Sequence, residues 1–333
     1  MTVPTSLSVP ASDRPSAPDL PDLPALPPGV VVRPATRDDL ELASSIGGVP
    51  PDLPKTWDEG TRRPGWTYLA LHDGALVGRA VWWGWASSEL PILTDTLDLA
   101  DSLTDGFERL AVGTALAAAG FAALVPPGED RLVICWVPAG WRSGPEAPAT
   151  LEKLAMWTGA GARLLVERLD LLWVRGGPVP PPSDRLEFRP VDDDTLVDLV
   201  ARCGDGSLDA HTAQRRARTG REATARFEVE EMRDFPGPRE WWRAAHTPDG
   251  EPVGFILPTR AGDSHAVGYL GVVPEHRGLG YVDDLLGECT RVLAVEQDAE
   301  QIVANTDVGN VPMAAAFTRA GYADTGRHRL DLL

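Results

Sequence analysis

The sequence has few cysteines, few lysines and no long apolar run. Its three cysteines, Cys135, Cys203 and Cys289, lie far apart in a chain of 333 residues. Three separated thiols form neither a disulfide framework nor a zinc-binding spacing, so we expect a reducing, cytoplasmic compartment and no metal. An uninterrupted run of about 18 apolar residues is absent, and residues 1–30 lack the pattern of a signal peptide. We therefore expect no membrane partner.

Basic residues are also in deficit. Lysine and arginine total 31 against 49 acidic residues, which gives a net charge of −18. Because affinity for nucleic acid rests on basic side chains that neutralise phosphates, we expect no nucleic-acid partner. The acidic excess favours a solvated surface and is compatible with a cationic small substrate.

Proline divides the chain. Residues 1–29 contain eight prolines and few apolar residues, which predicts a disordered tail. A second Pro-rich stretch at 176–185 predicts an extended linker. The total length fits about two domains, and these boundaries place them at 30–175 and 186–333.

The two predicted domains carry similar sequences. VRP at 32–34 matches FRP at 188–190, Asp73-Gly74 matches Asp249-Gly250, and RLDLL occurs at both 168–172 and 329–333. Similar motifs in the same order predict a duplicated domain. Each copy reads as strand, helix, hairpin, strand, helix, strand, helix and closing strands. The predicted fold class is therefore mixed α/β, with mostly antiparallel central sheets flanked by helices.

The chemistry is expected where an apolar strand at 265–273 enters a helix at 280–298. The connection contains Arg277-Gly278-Leu279-Gly280. Main-chain N–H groups at a helix N-terminus bind anions, and glycine allows close approach. The residues alone leave two interpretations, a phosphate-binding turn and a tight strand-to-helix connection. Neither a Walker loop nor a dinucleotide fingerprint is present.

This connection resembles the acyl-CoA-binding motif of the GNAT superfamily of N-acetyltransferases, Gln/Arg-x-x-Gly-x-Gly/Ala after an apolar strand. Arg277 and Gly280 match, whereas Val282 stands where Gly or Ala is usual. Asn310 and Phe317 resemble the Asn and Tyr of the last helix in the family, with Phe in place of Tyr.

The first copy shares the frame but has no such motif at 105–109. The chain therefore resembles a tandem GNAT protein, two GNAT-like domains with a degenerate N-terminal copy.

The resemblance implies acetyl-CoA as the acyl donor and direct transfer to an amine of a small molecule. Turn amides would hold the pyrophosphate, the pantetheine arm would pair with the strand end, and the Val272 amide would polarise the thioester carbonyl. The implied CoA-binding residues are Leu270, Gly271, Val272, Arg277, Gly278, Leu279, Gly280, Tyr281, Val282, Asp283, Asn310 and Phe317. Asn310 is equally well interpreted as a helix N-cap.

The residues alone do not identify the general base or the general acid. Candidate bases are His265 at the start of the strand and Asp307 after the next strand, with a strand end and a turn cap as their non-catalytic interpretations. Glu230 and Glu231 are weaker candidates on a charged helix face. Phe317 cannot protonate the leaving sulfur, and the alternatives are solvent, Tyr281 or Tyr322.

Three other functions remain open. One is acylation of an amino-sugar glycoside, as in mycothiol synthase, which has the same tandem arrangement. The second is a non-catalytic acyl-CoA sensor or scaffold. The third is an interaction module that binds no CoA. The sequence defines neither the acceptor, the acyl chain length nor the oligomeric state.

Overall fold

The computed structural model of the chain describes residues 23–47, 52–130 and 132–333. Most of the predicted disordered tail, residues 1–22, lies outside the described residues. The chain divides into two compact units. Unit 1 contains the residues up to Ile134, Ala147–Arg163 and Leu333, and unit 2 contains Cys135–Glu146 and Leu164–Leu332.

Unit 1 follows the predicted element order as far as α4, and the predicted closing strand of the first copy lies in unit 2. Its strands are β1 (Val30–Pro34), β2 (Thr67–His72), β3 (Ala75–Trp83), β4 (Leu93–Leu99) and the start of β5 (Leu132–Pro138). Its helices are α1 (Leu40–Ala43), α2 (Leu53–Glu59), α3 (Gly106–Leu124) and α4 (Ala147–Gly159). Strands β1 to β4 pair antiparallel in sequence order, and β5 pairs parallel with β4. Asp73 and Gly74 both have positive φ, as the predicted tight hairpin requires.

Helix α3 packs closely within unit 1 because its small residues admit large neighbours. A Cβ at Gly120 would lie 1.9 Å from the Trp82 ring, and one at Gly113 would lie 2.3 Å from the Met156 sulfur. In the described part of the chain, α3 is the one helix long and apolar enough to cross a membrane. Its nine buried residues are typical of a helix in a protein core.

Unit 2 repeats this order from β7 to α9 and has two further strands, β6 and β12. Its strands are β6 (Leu164–Val174), β7 (Glu187–Pro190), β8 (Arg243–His246), β9 (Pro252–Ala261), β10 (Ser264–Val272), β11 (Gln301–Asp307) and β12 (Ala323–Leu332). Its helices are α5 (Asp193–Cys203), α6 (Ala210–Thr219), α7 (Arg221–Asp234), α8 (Tyr281–Arg291) and α9 (Val311–Arg319). The strands lie in the order β12-β6-β11-β10-β9-β8-β7, and only β10 and β11 pair parallel.

Helices cover both faces of the unit 2 sheet. Successive residues of a strand point to opposite faces. On β9, Gly254 faces Leu285 of α8, whereas Phe255 lies with Cys203 of α5 around Gly271. Phe255 and Leu285 are fully buried. The core therefore forms on both sides of the strands that lead to the predicted site.

Strand β6 lies in unit 2 although it precedes the predicted linker. It runs between β11 and β12, and the two RLDLL copies meet at one position, where Arg329 lies opposite Arg168. Residues 164–175 are thus part of the second compact unit, whereas the linker at 176–185 would assign them to the first domain. The two domain boundaries stay a prediction, and the compact units divide before Leu164.

Candidate functional site

Strands β10 and β11 separate soon after they begin. They pair only at His265 with Ile302 and at Ala266 with Val303, although both strands continue for several residues. An irregularity in β10 between Val267 and Tyr269 follows directly. The inner edges of both strands are therefore unpaired beyond this point. We call the space between them the β10–β11 gap.

Two main-chain amides of β10 point into the β10–β11 gap. Val273 donates its N–H to the Val253 carbonyl on the β9 side, at 2.9 Å. Because amides alternate in direction along a strand, the N–H groups of Val272 and Leu270 point away from β9. The carbonyl of Val272, on the same side, accepts from Arg277 Nε at 3.1 Å. The Val272 and Leu270 amides are thus available to a ligand beside the strand.

The turn after β10 presents further free amides. A short 3-10 helix, Pro274–His276, leads to Gly278 and Gly280, which have φ of 76° and 80°. Gly280 is the N-cap of α8 and has no side chain to cap it. No acceptor in the described residues bonds the N–H groups of Gly278, Gly280 or Val282. These donors stand at the positive end of the α8 dipole, where an anion is stabilised.

Acidic residues in the first turn of α8 are paired with arginines. Asp283 accepts from Arg319 at 2.7 Å, and Asp284 bonds Arg185. The Arg185 guanidinium also donates to the Leu279 carbonyl at 3.0 Å and lies 4.7 Å from the centre of the Tyr281 ring. The pairing offsets the repulsion that two carboxylates would otherwise exert on an anion at the turn.

Arg277, the first residue of the predicted motif, holds the turn through its side chain. Besides Val272, its guanidinium donates to the carbonyls of Cys203 and Asp205, each at 2.6 Å. These carbonyls lie at and just beyond the C-terminus of α5, where a cation is stabilised by the helix dipole. The side chain thus connects α5 to the turn.

The residues at the departures from the family motif pack in or against the core. Val282 is partly buried against the unit 2 core, and its amide has no acceptor among the described residues. Phe317 is 2% exposed, with its ring 5.1 Å from that of Tyr322. The Tyr322 hydroxyl bonds Thr290 at 3.0 Å, and burial raises its pKa. Tyr322, one alternative acid, is therefore occupied within the core.

Asn310 caps α9, in agreement with one of its two interpretations. Its Oδ1 accepts from the Met313 amide at 3.4 Å. The Nδ2 group has no hydrogen-bond partner among the described residues, so it remains available to a ligand.

The two candidate bases lie in different places. His265 lies in the paired start of β10, about 23 Å along the strand from Val272 at about 3.3 Å per residue. Asp307 ends β11, five residues beyond Ile302, at the end of the strand where β10 and β11 have separated. It is 2% exposed, and burial raises its pKa. The geometry favours Asp307 over His265.

Sequence reasoning missed a buried carboxylate on α7. Glu228 is 7% exposed and accepts from Thr212 Oγ1 at 2.9 Å and from the Tyr269 hydroxyl at 3.0 Å. The predicted candidates beside it are exposed ion-pair partners, Glu230 with Arg233 at 2.6 Å and Glu231 with Arg215 at 3.7 Å. Nothing in the charged sequence at 228–231 distinguishes the buried member.

Comparisons with known proteins concern the family and the fold. Residues 185–323 match the family model described as the acetyltransferase (GNAT) domain. The fold is similar to that of a GCN5-related N-acetyltransferase from Sphaerobacter thermophilus, with 16% identity, a TM-score of 0.55, and coverage of 93% of this chain and 96% of that one. No curated protein matches the sequence.

Two further solved structures are similar. One is a fungal GCN5-related glucosamine N-acetyltransferase region within a multidomain β-N-acetylglucosaminidase, with 13% identity, a TM-score of 0.54, and coverage of 91% of this chain and 38% of that one. The other is a tandem GNAT protein from the clavulanic acid pathway, with 17% identity, a TM-score of 0.48, and coverage of 91% and 97%. The predicted mixed α/β fold is confirmed. Residues 185–323 match the GNAT acetyltransferase family model, which covers less than half of the chain.

Proposed function

We propose that this acetyltransferase domain moves an acetyl group from acetyl-CoA directly to an amine of a small molecule. The observation that carries the proposal is the row of free amides at residues 278–282 beside the unpaired edge of β10. A pyrophosphate suits the amides at the start of α8. An extended, amide-rich pantetheine arm suits the edge of β10, which it can join as an added strand would.

The Val272 amide would stabilise the reacting thioester. Its N–H points into the β10–β11 gap and would donate to the carbonyl oxygen as negative charge develops there. One such donor is typically worth about 3 kcal/mol to the transition state. The Leu270 amide, two residues earlier, points the same way.

Asp307 is the proposed general base. The acceptor ammonium must lose a proton before its nitrogen can attack, and a buried carboxylate with a raised pKa suits this task. The nitrogen then forms a bond to the acyl carbon, the C–S bond breaks, and CoA leaves as a thiolate. A thiol with a pKa of about 8.5 is an adequate leaving group without a dedicated acid, which is consistent with Phe317.

A thiol beside β10 supports direct transfer over an acyl-enzyme route. The Cys203 sulfur would lie 3.1 Å from a Cβ at Gly271, close to the proposed thioester position. Burial raises its pKa to about 12, so it stays protonated and is a poor nucleophile. The acyl group therefore has no reactive cysteine at this place.

Two alternatives keep the same CoA site. A non-catalytic acyl-CoA sensor is favoured by Phe317, whose buried ring supplies no hydroxyl for the leaving sulfur. Acylation of an amino-sugar glycoside differs only in the acceptor.

The test measures binding and turnover separately. Acetyl-CoA should raise the Tm, because a ligand that binds only the folded state stabilises it. The 3′-dephospho form of CoA, which keeps the pyrophosphate, should do the same, and pantetheine, which lacks it, should not. A panel of small amines that includes amino sugars should then release free thiol.

Each outcome distinguishes the alternatives. Stabilisation by acetyl-CoA without thiol release from any amine would favour the sensor. Thiol release confined to amino-sugar glycosides would favour the second alternative. Equal stabilisation by pantetheine and CoA would contradict the role of the turn.

A further inference from the structure

The strand that precedes the predicted linker contributes a basic residue to the proposed site. Strand β6 pairs with β11 so that Arg168 lies directly opposite Asp307. The two side chains are 17% and 3% exposed. Arg168 therefore lies next to the proposed base, although the predicted linker would place it in the N-terminal domain at 30–175.

Asp307 is held from two sides. Its Oδ2 accepts the main-chain N–H of Ala210, the first residue of α6, at 2.7 Å. Its Oδ1 lies 3.1 Å from Arg168 Nε in an ion pair. Both of these atoms are buried, and neither has a hydrogen-bond partner among the described residues. Without Arg168, Oδ1 would be a buried carboxylate oxygen with no compensating group.

Arg168 forms ion pairs with two carboxylates, those of Asp307 and Asp209. Asp209, the N-cap of α6, lies 3.4 Å from Arg168 Nη2. His211 is the other titratable group at the start of α6, and it bonds Asp331 of β12 at 2.8 Å. Asp331 is also paired with Arg329 at 2.7 Å. The charges that act on Asp307 thus come from Arg168, Asp209 and His211.

We propose that Arg168 is a positioning residue for Asp307, so that a strand N-terminal to the linker completes the acceptor side of the acetyltransferase domain. This inference rests on the proposed function, in which Asp307 takes the proton of the acceptor ammonium. Arg168 fixes the orientation of the carboxylate and keeps it ionised near neutral pH.

The electrostatic balance at Asp307 gives the sign of the effect. Burial and the neighbouring Asp209 raise the pKa of Asp307, whereas Arg168 lowers it. Removing the arginine charge should raise this pKa further. An opposite charge within 4–6 Å typically changes a carboxyl pKa by about one unit or more. A base acts in its deprotonated form. As the pH is lowered, activity should therefore begin to fall at a higher pH than in the unchanged protein.

The experiment replaces Arg168 in the full chain. Arg168→Gln removes the charge, Arg168→Lys retains it, and Arg175→Gln is the matched control. Arg175 is at the end of the same sequence segment and makes an exposed ion pair with Asp298 at 3.2 Å. The acidic limb of the kcat/KM profile should move up by about one pH unit in Arg168→Gln. It should move less in Arg168→Lys and not at all in Arg175→Gln.

A second measurement separates this inference from the proposed function. The pKa of Asp307, followed by carboxyl 13C NMR, should rise in Arg168→Gln and not in Arg175→Gln. An unchanged Asp307 pKa in Arg168→Gln would overturn the inference whether or not any amine is acetylated. A raised pKa in a protein that binds acetyl-CoA and releases no thiol would support the inference and contradict the proposed function.

Discussion

Each unit contains a turn from a strand into a helix, and the two turns differ in the residue at the helix N-cap. In unit 1 the N-cap of α3 is Asp105, whose carboxylate accepts from the amides of Phe107 and Glu108 at 2.9 and 3.0 Å. In unit 2 the N-cap of α8 is Gly280, and the amides stay free. The helix start that can receive an anion in unit 2 is already occupied by a carboxylate of the chain itself in unit 1.

The neighbouring strands do not differ in this way. Among the described residues, strands β4 and β5 pair parallel at Leu93 with Leu132 and at Thr94 with Val133, much as β10 and β11 do. The separation of two parallel strands is therefore common to both copies. The N-cap residue is the local difference between the two helix starts, and it is the difference on which the proposed assignment of CoA to unit 2 depends.

The strongest test gives unit 2 the N-cap of unit 1. Gly280→Asp should weaken CoA binding about 10³-fold, because the carboxylate would accept the turn amides and repel the pyrophosphate. The estimate assumes two charge-assisted hydrogen bonds lost at about 2 kcal/mol each. Isothermal titration calorimetry with CoA measures the change in Kd.

Two control variants separate charge from strain. Gly280→Asn has nearly the same shape and tolerates a positive φ, so it should lose far less affinity than Gly280→Asp. Gly106→Asp places an acid at the start of α3, where a Cβ meets nothing within 4 Å, and should leave the affinity unchanged. Equal losses in the Asn and Asp variants would attribute the effect to strain. A large loss in Gly106→Asp would contradict the assignment of CoA to unit 2.

The edge of β10 can be tested by removing one amide hydrogen. Val272→Pro should lower kcat about 10²- to 10³-fold while CoA still binds, because the lost N–H points into the β10–β11 gap and pairs with no strand. Steady-state thiol release measures kcat, and calorimetry verifies binding. A larger effect of Leu270→Pro would assign the thioester carbonyl to the other amide.

Phe317 lies in the core, so a hydroxyl added there should harm the protein. If the site instead lacked a general acid, the same hydroxyl should raise turnover. Phe317→Tyr should lower the free energy of unfolding by about 1–3 kcal/mol, because a hydroxyl is added among buried apolar side chains. Denaturant titration measures the loss. A variant with unchanged stability and higher turnover would show that the added hydroxyl reaches the leaving sulfur.

The smallest effect is expected in unit 1. Asp105→Ala should destabilise the protein by about 1 kcal/mol, the usual cost of a lost N-cap, and leave CoA affinity unchanged. Thermal unfolding with and without CoA gives both quantities. A measurable gain in CoA sites per chain would mean that Asp105 alone keeps unit 1 from binding.

Much of the fold follows from local sequence. The Asp73-Gly74 hairpin and the run from β10 through the glycine turn into α8 are determined by residues close in the chain, and these predictions are confirmed. The α-helical part of α8 ends at Arg291, and a π-helical turn extends the helix to Glu296, close to the predicted end at 298.

The position of β6 could not be predicted in this way. Both RLDLL segments have the same pattern, so the sequence does not determine which copy pairs with β11. The partnership of Arg168 with Asp307 depends on that long-range choice and was missed for the same reason. Gly278 and Gly280, by contrast, identify the turn by themselves because each adopts the left-handed conformation.

The place of β6 has a consequence for the history of the duplicated chain. A gene shortened at the linker would encode an acetyltransferase domain without an inner strand of its own sheet. Strand β6 therefore has to be retained even if the sequence before it never meets a ligand, and its presence does not imply an activity of the N-terminal half.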